Sequence, residues 1–290
     1  MTIWNLGSIN ADMVYAMPHL PTAGETLAAQ SLDQFLGGKG ANMSVAAARA
    51  GSQVHHIGAV GPEGGWAIER LSSYGVETGA IATLEVPTGH AIIAVEAEGE
   101  NQIILFPGAN RAISADQVSQ ALSAAKAGDI LVLQNETNMQ AEAAKLARQQ
   151  GLRVAYAAAP FEASAVQEVL PYLDILFLNE VEAEQLREAT GKAPEALGIG
   201  DVIVTLGAKG ARHFDGRSGE RLEVPALPVT PVDTTGAGDT FTGYVLSGLD
   251  RGLAMDQAMA QAARAGALMV TRHGTADVIP DLNEVEAAQF

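Results

Sequence analysis

The chain has 290 residues, 48% hydrophobic and 18% charged, with 31 Gly, 12 Pro and no Cys. That is apolar sequence enough for one large α/β unit or two small ones, and it excludes disorder and a small stapled scaffold. The 34 acidic against 17 basic side chains give a formal charge of −17, which repels a polyphosphate backbone or an anionic lipid surface and argues against nucleic acid and membrane partners.

In chain order, apolar runs bounded by turn residues alternate with Ala-rich stretches at helical spacing. This is the pattern of an α/β fold with a doubly wound, mainly parallel sheet flanked by helices. Core strands are expected at Ile3–Ile9, Gln53–Val60, Ile130–Gln134, Arg153–Ala157, Ile175–Leu178 and Val202–Leu206. Helices are expected at Ala41–Ala50, Trp66–Tyr74, Ala115–Lys126, Met139–Gln150 and Val181–Thr190, then at Ala237–Leu249 and Met255–Thr271. Met13–Leu36 and Thr88–Phe106 instead alternate with period 2, with a Glu98-Gly99-Glu100 turn between Ala91–Ala97 and Gln102–Phe106. Such strands do not join a parallel sheet easily, so they are expected to form a small β-sheet lid on a single domain spanning 1–290. Met1–Leu20 has no basic region and carries Asp12, unlike a signal peptide. Leu253–Val270 is interrupted by Asp256 and Arg264, so no membrane helix is expected. The lack of cysteine rules out disulfides and thiolate chemistry and fits the cytosol, and the expectation is a soluble, cytoplasmic protein.

Three clusters fall at strand ends or helix starts. Gly7-Ser8-Ile9-Asn10-Ala11-Asp12 ends the first strand, where ligands bind in open α/β sheets. A carboxylate there accepts hydrogen bonds from two neighbouring hydroxyls of a neutral polyol; an Asx turn is the alternative. Gly37-Gly38-Lys39-Gly40-Ala41-Asn42 opens a helix, its glycines allowing close backbone approach, Lys39 offering a point charge and Asn42 both a donor and an acceptor. It is not a Walker A loop, because Gly follows Lys39, and taken alone a Gly-rich loop is more often structural. Asp233-Thr234-Thr235-Gly236-Ala237-Gly238-Asp239-Thr240-Phe241 opens another helix. Gly236 and Gly238 expose N–H groups at the positive end of the helix dipole, an anion hole for phosphate, and Asp239 is placed to accept a proton from a hydroxyl. A plain helix N-cap is the alternative for Asp239. His55-His56 receives no function, since adjacent strand residues face opposite ways.

Together these clusters resemble the ribokinase-like (PfkB) family of sugar kinases over most of the chain, with Gly37–Asn42 and Asp233–Asp239 matching its two signatures. Gly24-Glu25-Thr26, Gly99-Glu100-Asn101, Asn179-Glu180-Val181-Glu182 and Thr205-Leu206-Gly207-Ala208-Lys209-Gly210 extend the resemblance. Gly7–Asp12 and Asn179–Glu184 look closest to the family's ribokinase branch. The resemblance implies ATP-dependent phosphorylation of a sugar hydroxymethyl group, with Asp239 as base and the backbone of Gly236, Ala237 and Gly238 as anion hole. It implies a sugar site of Asn10, Asp12, Gly38, Lys39, Asn42, Glu136 and Asp239, and a nucleotide site of Asn179, Thr205, Gly207, Gly210 and Gly238. Glu182 is implied in Mg2+ handling, indirectly, its alternative being a helix-surface acid. A monovalent cation such as K+ is implied beside Asp233 and the Thr235 carbonyl, with carbonyls near Met269, Arg272 and Gly274. There the match loosens, since Ala276-Asp277-Val278 puts a valine where the family offers a polar ligand. Thr190–Gly200 also departs: Gly191, Pro194, Gly198 and Gly200 leave room for at most one turn where the family has a crossover helix.

From Asn10 to Gly40 the only Lys or Arg is Lys39, and from Glu85 to Pro107 there is none. A sugar phosphate or sugar acid needs a cationic clamp, so a neutral sugar, ribose first, is expected, unless Arg49, Arg70 or Arg111 approaches from elsewhere. A nucleoside is the alternative substrate, with Tyr15, Phe35 and Phe106 available for a base slot or for lid core. A non-catalytic sensor on the same fold is the alternative of a different class, against which stand the retained Asp239, Gly236 and Gly238. The exposed face of a small lid sheet must be covered, so a homodimer through Met13–Leu36 is expected.

Overall fold

The computed structural model describes residues 1–96 and 98–290. Its elements run β1 (Ile3–Leu6), β2 (Asn10–Ala16), β3 (Ser31–Gly37), α1 (Lys39–Arg49), β4 (Val54–Val60), α2 (Gly65–Ser73), β5 (Val76–Thr83), β6 (Gly89–Val95) and β7 (Asn101–Phe106). They continue with α3 (Ala115–Leu122), β8 (Ile130–Leu133), α4 (Gln140–Gln149), β9 (Arg153–Ala157), α5 (Ala163–Val169), β10 (Ile175–Asn179) and α6 (Glu180–Thr190). The last are β11 (Asp201–Thr205), β12 (Ala211–Asp215), β13 (Arg221–Val224), α7 (Ala237–Asp250), α8 (Met255–Met269) and α9 (Leu282–Ala287).

A central sheet is ordered β13-β12-β11-β10-β9-β8-β1-β4-β5 and a second sheet β3-β2-β6-β7. From β5 to β11 every neighbouring pair in the central sheet is parallel, whereas β12 and β13 are antiparallel additions at one edge. Strand β1 shows how the layers form. Trp4 and Leu6 point into an apolar cluster with residues of α3, α4, α5 and α6, while Ile3 belongs to the opposite cluster with α1, α7 and α8. Asn5, on the Ile3 face, donates to the Gly40 carbonyl and to Ser44 Oγ of α1, both at 2.8 Å. Strand order reverses at β1, between β4 and β8, and the carboxyl ends of β1 and β8 therefore bound the crevice where such folds bind ligands.

Several boundaries differ from expectation, each for a physical reason. Strand β1 ends at Leu6 rather than Ile9 because Ser8 gives its carbonyl to Ala41 N–H and Ile9 gives both backbone groups to the Asn110 side chain. The second sheet accordingly begins at Asn10, which pairs with Gly37 and Gly89, rather than at Met13. Helix α3 stops at Leu122, not Lys126, where the chain tightens into turns and Lys126 N–H goes to Asp129 Oδ2. Strands β5, β12 and β13 were not expected: Gly79 breaks the apolar run of β5, and the other two are short strands with charged residues at the antiparallel end of the sheet. Ala97, the expected end of one strand, lies outside the described residues. The Thr190–Gly200 connection holds a single 3-10 turn, Pro194–Ala196. His55 stacks on Trp4 at 4.3 Å between ring centroids while His56 turns to Ser44 at 2.8 Å, on the other face of the sheet. Among the described residues, no helix is long and apolar enough to cross a membrane.

Helix α1 rests on β1 with almost no space between backbones. A Cβ on Gly40 would stand 2.3 Å from Ser8 N and 2.4 Å from Gly7 Cα. Gly40→Ala should therefore push α1 off the sheet and lower stability by about 1–3 kcal/mol in chemical denaturation, the usual cost of overpacking. Unchanged stability would show that this contact relaxes freely.

Candidate active site

The glycine loops converge on the crevice. At its floor, Glu136, just past β8, accepts a hydrogen bond from Ser8 Oγ and one from Lys39 N–H, the latter at 3.0 Å. It thereby ties the first amide of α1 to the ends of β1 and β8. Gly38 caps α1 at φ 95°, a conformation suited to glycine, and a Cβ there would lie 2.9 Å from the Ser8 carbonyl. Expected as a sugar contact, Glu136 spends this oxygen on holding the loop.

Opposite this loop, Gly236 at φ 74° turns the chain into α7, and Asp239 sits in the first helical turn, buried. It does not cap the helix. Its Oδ2 accepts from Asn42 Nδ2 at 2.9 Å, leaving Asn42 Oδ1 buried without a partner. Burial raises the Asp239 pKa to about 6, against the lowering effects of Lys39 and the Asn42 bond. Lys39 in turn is held above its ordinary pKa, chiefly by Asp239 and further by Glu136 and Glu182, against a lowering by burial. Among the described residues, the N–H groups of Gly236, Gly238 and Asp239 make no backbone hydrogen bond, whereas that of Ala237 goes to the Thr234 carbonyl at 3.2 Å. Ala237 is thus the weakest member of the expected anion hole. A Cβ on Gly238 would meet nothing within 4 Å, so space for a ligand lies directly above it.

The second sheet supplies the other wall. Asn10 and Asp12 share one face of β2, and Asp12 lies close over Gly37, where a Cβ would collide with its carboxylate. Burial first, then the charge of Glu136, raises the Asp12 pKa to about 7, and the carboxylate has no hydrogen-bond partner among the described residues. Asn10 Oδ1 accepts from Asn110 Nδ2 at 2.8 Å. Asn110 had no motif to announce it in the sequence.

A cleft of about 250 Å³, open to solvent, is lined by Lys39, Asn179, Glu182, Thr205, Gly236, Gly238 and Asp239 among others. Asn179 and Glu182 form a reciprocal capping box at the start of α6, each bond 2.8 Å, so Glu182 is a helix cap and a cleft residue together. Its pKa is raised by burial, against the Asn179 N–H and Lys39. Gly207 and Gly210, expected at the nucleotide, do not line this cleft; Gly210 at φ 104° is packed where a Cβ would strike the Val224 carbonyl at 2.0 Å. Asp233 accepts from Thr235 N–H at 2.9 Å and from Gly274 N–H at 3.3 Å, and the Met269 carbonyl accepts from Arg272 N–H at 3.0 Å. Next to them, Thr275 Oγ1 donates to the Leu36 carbonyl of β3 at 2.8 Å, linking this loop to the second sheet. Another cleft, of about 240 Å³ beside α4 and α5, is lined by none of the expected site residues.

Three arginines were candidates to bring positive charge. Arg49 donates to carbonyls of Ala276, Asp277 and Ile279, Arg70 pairs with Asp277 at 3.0 Å, and Arg111 donates to the Asn135 carbonyl at 3.0 Å. Lys39 is the only cation among the residues lining the main cleft.

Residues 3–282 match the family of pfkB carbohydrate kinases. The chain belongs to this family. It is 36% identical to the ribokinase of Haemophilus influenzae, over 98% of this chain and 96% of the relative. It is 31% identical to the deoxyribokinase of Salmonella typhi, over 98% and 97% respectively. The structure of Arabidopsis thaliana ribokinase complexed with ribose and ATP superimposes with a TM-score of 0.85 at 29% identity, covering 98% of this chain and 97% of that one. As a member of this family the chain is a carbohydrate kinase.

Burying an unpaired carboxylate costs stability, and the sign can be followed for Asp12. Its folded pKa of about 7 lies above its ordinary 3.8. Between those values the folded state binds more proton than the unfolded one, so stability falls as pH rises and the whole penalty is present above pH 7. Asp12→Asn should thus stabilise the protein at pH 8, on the order of 1–3 kcal/mol, with the gain shrinking as pH falls toward 4. Thermal melts at several pH values check this, and a gain independent of pH would contradict it.

Proposed function

We propose that the chain transfers the terminal phosphoryl group of ATP to the hydroxymethyl oxygen of a neutral pentose, ribose first. The observation that carries this reading is the set of polar groups around the crevice: Asn10 and Asp12 on one face of β2, Asn42 bonded to Asp239, and Lys39 as the single cation lining the cleft, with the nearby arginines bound elsewhere. A neutral polyol can meet these groups hydroxyl by hydroxyl. A phosphate or carboxylate on the sugar would face Asp12 and Glu136 with Lys39 alone as counter-charge. Similarity to a ribokinase, a deoxyribokinase and a ribose–ATP complex supports a pentose and ATP. A nucleoside is less favoured, because of the three aromatic candidates only Phe35 shares the Asp12 face; Tyr15 and Phe106 lie on the opposite face by register.

In this reading Asp239 takes the hydroxymethyl proton as the oxygen attacks the γ-phosphorus and the bond to the β,γ-bridging oxygen breaks, releasing ADP. The N–H groups of Gly236, Gly238 and Asp239, at the positive end of α7, stabilise charge on the transferring group. Lys39 keeps the base ionised and meets the phosphate. One base and one anion hole suffice because phosphoryl transfer is mostly positioning and electrostatics. Asn179 and Thr205 border the nucleotide side. Glu182 has one oxygen on Asn179 N–H and the other without a partner among the described residues, a donor that fits Mg2+ held mainly by phosphates and water. Mg2+ neutralises phosphate charge when bound. The oxygens expected for K+ are Asp233, both of whose carboxylate oxygens accept an N–H, the Met269 carbonyl, which accepts one, and the carbonyls of Thr235, Arg272 and Gly274. The second sheet acts as a lid that closes over the sugar and excludes water.

Leu32, Ile92, Ile104 and Phe106 lie on the sheet face opposite Asp12 and are 50%, 39%, 67% and 43% exposed. An apolar sheet face of this kind suits a second copy of the chain, as does the covering expected of Met13–Leu36. Sedimentation at micromolar concentration should show a dimer that Ile104→Asp converts to monomer; a wild-type monomer would refute the interface.

An ATP-consumption screen over neutral sugars, sugar phosphates and nucleosides tests the substrate. Fastest turnover is expected on ribose or a close neutral pentose, and turnover on a sugar phosphate alone would overturn the reading. Asp239→Asn should lower kcat by about 10²- to 10⁴-fold. In the wild type kcat should rise with pH through about 6, the pKa of the base; normal turnover in Asp239→Asn would remove Asp239 from that role.

A further inference from the structure

The chain passes between the two sheets at Ile9–Asn10, at Thr88–Gly89 and at Pro107–Asn110, and these crossings meet at one buried side chain, Asn110, which is 1% exposed. Its Oδ1 accepts from Ile9 N–H at 2.9 Å. Its Nδ2 donates to the Ile9 carbonyl at 3.2 Å and to Asn10 Oδ1 at 2.8 Å. The two Ile9 contacts fix which way the Asn110 amide faces, because a backbone N–H can only donate and a carbonyl only accept. That orientation is passed on. With Asn110 Nδ2 pointing at it, the near atom of Asn10 must be its carbonyl oxygen, and the Asn10 NH2 group is left as the donor on the Asp12 face.

Space around this pair is closed. A Cβ on Gly89 would stand 2.2 Å from Asn110 Nδ2 and 2.5 Å from Asn10 Oδ1, and one on Gly108, at φ 49°, would strike the Pro87 carbonyl at 2.3 Å. The turn that carries Asn110 is held in addition by Ala109 N–H on the Pro87 carbonyl at 2.9 Å. Glycines thus make room for one amide to reach the crossing strand, and the strand cannot drift without breaking three hydrogen bonds.

We propose that Asn110 is a positioning residue for the acceptor alcohol. It sets the Asn10 amide so that Asn10 donates to, and the ionised Asp12 accepts from, hydroxyls of the substrate, and it anchors the point where the chain passes from the central sheet into β2. The proposal rests on the reading of the Asn10–Asp12 face as the acceptor site. Loss of the setting bond frees the Asn10 amide to rotate and weakens acceptor binding without touching the nucleotide side.

A double-mutant cycle tests this with whichever alcohol the wild type phosphorylates fastest. Asn110→Ala should raise the acceptor KM about 10-fold, the worth of one well-placed hydrogen bond, with the ATP KM changed less than about twofold. In an Asn10→Ala background the same change should add less than about twofold, because its route of action is gone. Gly89→Ala displaces the amide pair without deleting a polar group and should give the same split, which decides the matter if Asn110→Ala does not fold. Equal rises in both KM values, equal effects in both backgrounds, or an unchanged acceptor KM would overturn the proposal. If the fastest acceptor proves to be a nucleoside or a sugar phosphate, the neutral-pentose reading fails while the cycle still decides the role of Asn110.

Discussion

The whole site depends on one close backbone contact, the seat of α1 on the end of β1. Gly7 and Gly40 touch there, Ser8 gives its carbonyl to Ala41, and Glu136 joins the Lys39 amide to the Ser8 hydroxyl. Any side chain at either glycine would separate helix from sheet. Once α1 is seated, Asn42 is held against Asp239 with the Lys39 charge nearby, and the start of α7 is held facing the crevice through the Asn42–Asp239 bond. Beneath it, Asn5, Ser44 and neutral His56 continue the same junction into the core by hydrogen bonds of 2.8 Å. Burial lowers the His56 pKa to about 4, so this network carries no charge.

Electrostatically the site is built against stability. Asp12 and Asp239 are both raised by burial, and a single ammonium, Lys39, stands among Asp239, Glu136 and Glu182. Such a cluster is costly in an empty cleft and becomes favourable when hydroxyls donate to the carboxylates. The chain's overall negative charge does not oppose phosphate binding, because the local potential at the start of α7 comes from free amides and Lys39 rather than from the net balance.

The motifs at Gly37–Asn42 and Asp233–Asp239 were legible because their glycines and polar residues are contiguous and open helices. The parallel core was legible because its strands are continuous apolar runs, buried on both faces. Strands β5, β12 and β13, at the two ends of the central sheet, were not, since their partly exposed, polar-interrupted residues lack that signal. The end of β1 was misplaced for a different reason: Ile9 is as apolar as a strand residue, yet its backbone groups pair with a side chain distant in sequence.

By itself, then, the sequence determined the α/β alternation, the two glycine loops, the candidate base and the scarcity of cations around the substrate, all properties of local composition and spacing. Only the tertiary structure decided that one Glu136 oxygen holds the start of α1, that Asp239 is paired with Asn42 rather than capping, that Gly210 is packed against the Val224 carbonyl, that the arginines are bound elsewhere and that Asn110 is bonded to Asn10. These depend on contacts between residues far apart in the chain, and such contacts exist only once the sheets and helices have been brought together.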